Sequence, residues 1–167
     1  MNPFDGSGIR SLLRMHSSIG NELRARGICR TANNPAGDVA EHLFSVSFGW
    51  TLEGNSQAGY DAVCKDLGRI QIKCRRVTPD NPSRQAGDIR DLDGKKFDWL
   101  AGVVFNGDWD IVLAMLIPHA LVVKRAIPIA HSRSSRIYLR EDWLSLEAVV
   151  DVTTKLRESW RQIAGPE

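Results

Sequence analysis

Two near-continuous apolar runs, Phe97 to Phe105 and Asp110 to Ile117, constrain this chain more than any other feature. Each has the length of a strand, and Asn106-Gly107-Asp108 between them is a strong turn signal. A strand apolar on successive residues has no face to give to water, so both must be central and covered on both sides. The remainder of the chain has to supply that cover, which argues for an α/β protein with helices packed on a central sheet.

Helical periodicity supplies candidates. Ile9, Leu12, Leu13, His16, Ile19 and Leu23 recur near the 3.6-residue period, predicting a helix from about Gly8 to Arg26 that Gly27 ends. Asn34 as cap and Pro35 as first residue open a second helix to about Phe48, with Ala36, Val39, Ala40, Leu43, Phe44 and Ser47 as its apolar stripe. Glu41 lies just beside that stripe. Pro118 is expected to open a short helix through Val123, and Arg136 to Leu139 to be a short extended segment. A last helix is expected from about Ser145 to Ile163, with Leu146, Val149, Val150, Thr153, Leu156, Trp160 and Ile163 on one side. At 167 residues the chain is expected to form one domain. Residues 1–34 read as an N-terminal helix and linker, 35–125 as the core and 126–167 as a C-terminal helical extension.

The segment Tyr60-Asp61-Ala62-Val63-Cys64-Lys65, then Asp66-Leu67-Gly68, then Arg69-Ile70-Gln71-Ile72-Lys73, reads as a hairpin. A three-residue loop commonly ends in a left-handed residue, which glycine occupies without steric cost, and Gly68 stands there. With Lys65 and Arg69 closing the loop, Cys64 opposes Ile70, Ala62 opposes Ile72 and Asp61 opposes Lys73. One face then carries Ala62, Cys64, Ile70, Ile72 and Cys74. The other carries Asp61, Val63, Arg69, Gln71, Lys73 and Arg75. A pairing shifted by one residue mixes polar and apolar side chains on both faces. Parity therefore brings Asp61, Gln71 and Lys73 together.

That trio suits phosphodiester chemistry. Magnesium takes oxygen ligands and keeps several waters, so Asp61, the Gln71 side-chain carbonyl and a main-chain carbonyl from Ile72 make an open metal site. Lys73, two residues on and pointing the same way, is placed to hold an attacking water and to offset charge on phosphoryl oxygens. Gln71 brings no charge, so a second acid is wanted nearby.

An Asp, a Gln-x-Lys on the next strand and a Glu on a preceding helix resemble the PD-(D/E)xK nuclease superfamily, in the glutamine variant of Mrr-like restriction enzymes. The residues that carry the resemblance are Glu41 within Gly37 to Leu43, Asp61 within Gly59 to Val63, and Gln71-Ile72-Lys73, spanning roughly residues 35 to 77. The resemblance implies a restriction-endonuclease-like mixed sheet flanked by helices. It also implies one or two magnesium ions, with manganese as a substitute, and endonucleolytic hydrolysis of DNA that leaves a 5′-phosphate. Catalysis then falls to Glu41, Asp61, Gln71 and Lys73, with Asp61, Gln71, Ile72 and Glu41 at the metal. No proline precedes Asp61. The segment Thr78 to Gly87 is rich in helix breakers where the superfamily usually has a helix, so a very short helix or a loop is expected there. A noncatalytic nucleic-acid-binding module on the same fold is the rival reading.

A net charge of +2 is only mildly basic, so DNA contact must come from local clusters. Arg69, Arg75, Arg76 and Arg84 are the first choices, with Arg90, Lys95, Lys96 and the segment His131 to Arg136 behind them. Gln57 reads as a loop residue. The three cysteines lack metal-ligand spacing and are odd in number, and the four histidines show no zinc-like pairing. The longest apolar run is too short to cross a bilayer as a helix, so a cytoplasmic protein with no membrane partner is expected. A restriction role further predicts a homodimer, with the first or last helix as interface.

Overall fold

A computed structural model describes residues 3–54 and 59–165. Two helices, α1 (Ile9–Ala25) and α2 (Ala36–Phe48), precede three strands, β1 (Thr51–Leu52), β2 (Ala62–Cys64) and β3 (Gly68–Arg76). A long crossover holds β4 (Ile89–Arg90) and a 3-10 turn over Leu92–Gly94, and leads to β5 (Trp99–Phe105), β6 (Ile111–Pro118) and α3 (His119–Arg125). The chain closes with β7 (Ile127–Ile129), β8 (Ser134–Arg136), a 3-10 turn over Glu141–Ser145, β9 (Val150–Asp151) and α4 (Thr153–Ala164).

The main sheet runs β1-β2-β3-β5-β6-β9, and a small sheet runs β4-β8-β7. Only β3 and β5 are parallel, so the main sheet is mixed. The two apolar runs are its centre: from Leu100 to Phe105 every residue of β5 is buried. One face, with Ile70, Ile72, Val103, Phe105 and Ala114, packs on Leu43 and Phe44 of α2 and Leu156 of α4. The other, with Leu100, Val104, Leu113 and Met115, packs on Val122, Ile137, Leu139 and Trp143. At Gly102 this second layer comes close to the sheet, since a Cβ there would lie 2.6 Å from Leu139 Cδ2.

At the start of α2 Pro35 already has helical angles (φ −67°, ψ −16°), and Asn34 Oδ1 accepts from the Ala36 amide at 3.1 Å. The cap expected from the sequence is therefore present.

Four expectations need correcting. The hairpin pairs Ala62 with Ile70, Val63 with Arg69 and Cys64 with Gly68, two residues away from the expected register. Gly68 (φ 78°) enters the strand as its left-handed first residue, and the loop is Lys65 to Leu67. Because the slip is even, each side chain keeps its face. The expected final helix begins only at Thr153. Before it, Ser145 ends a 3-10 turn and Val150–Asp151 forms strand β9, where Leu116 pairs with Val150, so β-branched Val150 took a sheet edge over a helical turn. Leu146 and Val149 pack under one face of the sheet and Leu156 under the other, and one apparent period spanned two elements. The extended segment starts earlier, at Ser134, and β7 pairs with it. Residues 126–165 thus add three strands as well as a helix.

Candidate functional site

The β2–β3 hairpin and α2 meet at one end of the sheet. A clamp fixes the start of β3: the Arg69 amide and Nε donate to Asp98 Oδ2 at 3.0 and 3.1 Å, and the Asp98 amide returns a bond to the Arg69 carbonyl at 2.8 Å. Gly68 belongs to this clamp, because a Cβ there would lie 2.7 Å from Asp98 Oδ2. With β3 held, Asp61 follows, its amide donating to the Ile70 carbonyl at 2.8 Å.

The Asp61 carboxylate turns onto β3. Its Oδ2 accepts from the Ile72 amide at 2.6 Å and from Gln71 Nε2, and its Oδ1 takes no hydrogen bond from the described residues. Burial raises the Asp61 pKa above its ordinary value, against the lowering effects of the Ile72 amide, the Lys73 ammonium, the Gln71 amide and the Arg30 guanidinium. Along a strand a residue's N–H and C=O face the same edge, so the Ile72 carbonyl is turned toward Asp61 as well.

Glu41 reaches the same place from α2. It shares with Asp61, Asp38, Arg30 and Tyr60 a cavity of about 190 Å³. Desolvation raises its pKa as well, helped by the Asp61 charge and opposed by its hydrogen bond from Arg30. Arg30 Nη2 pairs with Glu41 Oε2, while its Nη1 donates to the Glu53 carbonyl at 2.6 Å. Two acids pushed toward protonation chiefly by burial thus share this cavity with the Arg30 guanidinium.

Lys73 lies beyond Gln71 on the same strand face. Its Nζ donates to the Asp88 carbonyl at 3.2 Å, and a second cavity of about 480 Å³, lined by Gln71, Lys73, Asp88, Arg90 and Lys96, opens beside it. In the parallel register Lys73 faces Gly102, the residue on which Leu139 packs, and Leu139 ties to the crossover through its amide bond to the Arg84 carbonyl at 2.9 Å. The crossover between β3 and β5 therefore roofs the lysine.

The expected DNA-contacting arginines are all engaged within the chain. Arg69 is in the Asp98 clamp, Arg75 donates to the Ser83 carbonyl at 2.9 Å, and Arg84 pairs with Glu141 at 3.0 Å. Arg76 donates to the Gly107 carbonyl and stacks 4.9 Å from the Trp109 ring, on the opposite sheet face from Lys73. Arg90 and Lys96, ranked behind these four, line the cavity beside Lys73. Gln57 lies outside the described residues. Cys74 sits next to Lys73 on the apolar face, where burial pushes its thiol up to about 11.

Arg30, Asp38 and Asp98 escaped the sequence reading. Asp38 is legible in hindsight, three residues before Glu41 on the same helix, and its Oδ2 gathers the Arg30 and Thr31 amides at 3.0 and 2.8 Å. That bend delivers Arg30 to Glu41. No periodicity marks Arg30 itself.

Among the described residues no group of three or more His, Cys, Asp or Glu side chains is arranged to hold a metal ion. No helix among them is long and apolar enough to cross a membrane. No protein-family model matches this chain, and no curated protein matches it.

Proposed function

We propose that this chain is a divalent-metal-dependent endodeoxyribonuclease with a restriction-endonuclease-like core. The observation that carries the reading is the meeting of Asp61 with Gln71 and the Ile72 amide on β3, with Glu41 in the same cavity and the Lys73 charge acting on Asp61.

The donor set fits magnesium or manganese. Two carboxylates, one with an uncommitted oxygen, and the carbonyls of Ile72 and Gln71 are hard oxygen donors too few for a closed cage, which suits an ion that retains waters. Gln71 contributes its oxygen only after its amide turns, since Nε2 now faces Asp61. A bound divalent ion supplies Lewis-acid stabilisation of the phosphoryl oxygens. Asp61 and Glu41 hold charge against that ion, and the Lys73 ammonium orients the attacking water and hydrogen-bonds the developing phosphoryl charge. Arg90 and Lys96, beside Lys73, are suited to phosphate contact.

A second reading, a noncatalytic nucleic-acid-binding module, is favoured by Arg30, whose guanidinium already pairs with Glu41. Plasmid incubation with magnesium, manganese or chelator, beside the Lys73→Ala variant, separates the two. The enzyme nicks or linearises DNA with metal only, and the variant binds DNA without cutting. DNA binding with no cleavage under any divalent ion leaves the binding module.

A further inference from the structure

Helix α1 has no buried residue. Along it Ile9 is 80% exposed, Leu13 63%, Ile19 60%, Met15 42% and Leu12 38%. The other terminal helix has no such surplus, because α4 buries Leu156 and packs Trp160 and Ile163 on the core. Isolated helices of this length are marginal in water, and a continuous apolar stripe on one is an interaction surface.

Its spacing identifies the occupant. Ile9, Leu12, His16 and Ile19 are separated by three, four and three residues, the a and d positions of a heptad seam, and Leu23, four residues further on, packs on the body of the chain. Leu13 and Gly20 fall at e, and Met15 and Glu22 at g. Arg10, Arg14 and Arg24 fall at b, f and b, away from the seam, so a helix pairing with its own copy sets no cation against a cation. With fully exposed residues of this size near 200 Å² each, the stripe offers about 600 Å² per copy, and a pair buries on the order of 1,200 Å², the lower bound of a specific interface.

We propose that α1 is a self-association surface, through which two copies of this chain pair antiparallel along the Ile9 to Ile19 seam. The C-terminal end of α1 joins the body, where the Leu23 carbonyl accepts the Ile28 and Cys29 amides at 3.0 and 3.2 Å. Antiparallel pairing therefore sends the two bodies to opposite ends and opposes the helix dipoles. The pairing is isologous, and a change at one position acts twice.

Sedimentation equilibrium of the full chain tests it, with Leu13→Glu, Ile19→Glu and, as control, Val46→Glu, an exposed apolar position on α2. The wild type and the control sediment at twice 18.6 kDa. Both α1 variants, folded by circular dichroism, dissociate with association weakened on the order of a hundredfold or more. A wild type that is monomeric at high concentration overturns the proposal, as does a dimer that survives both α1 substitutions. A monomer that co-sediments with anionic vesicles also overturns it and makes α1 a lipid-surface helix.

Discussion

The middle of β3, Gln71–Lys73, and its C-terminal end, Arg75–Arg76, both carry polar side chains and sit in opposite surroundings. Around Gln71–Lys73, Asp61 and Glu41 are acids whose burial outweighs the hydrogen bonds and cations beside them. At the Arg75–Arg76 end, each guanidinium is matched by loop carbonyls or an indole ring. Charge density alone therefore does not mark a site on this strand. Burial of acids does set the middle of the strand apart, because a desolvated carboxylate is stabilised by an added cation.

The sharpest way to break the contrast is Lys73→Ala, expected to lower metal-dependent plasmid cleavage by about a hundredfold or more while DNA binding persists in a mobility-shift assay. If Arg76→Ala lowers cleavage equally, the two stretches are not distinct. Next in size is Gly102→Ala, which forces the Leu139 side chain off the strand beside Lys73 and is expected to destabilise by roughly 1–3 kcal/mol in chemical denaturation.

Stability against pH sharpens the same contrast. Asp61 and Glu41 have folded pKa values above their ordinary 3.8 and 4.5, so the folded protein binds more protons than the unfolded chain between those values and the raised ones. Their contribution is most favourable below the ordinary values and declines as pH rises through the window. Asp61→Asn is therefore expected to flatten that decline and raise the melting temperature at neutral pH, with no gain below pH 4. An unchanged slope in denaturant titrations across pH would remove the burial of acids on which the comparison stands. The smallest effect belongs to Arg76→Ala, expected to cost about 0.5–1 kcal/mol through the lost Trp109 contact and to leave cleavage within twofold.

Local sequence determined the strands at the centre, the cap of α2, the left-handed glycine of the hairpin and the common face of Asp61, Gln71 and Lys73. Each follows from short-range pattern: unbroken apolar runs, Asn-Pro before a helix, and a period of two that survives an even slip. Only the tertiary structure decided the hairpin register, the conversion of Val150–Asp151 into an edge strand, the loop that roofs Lys73 and the arrival of Arg30 at Glu41. Those depend on partners distant in the chain. Asp98 pins Arg69 from 29 residues away, β6 recruits β9, and Asp38 bends the linker that carries Arg30. No local pattern encodes such pairings, because their energy is realised only when the whole sheet is assembled.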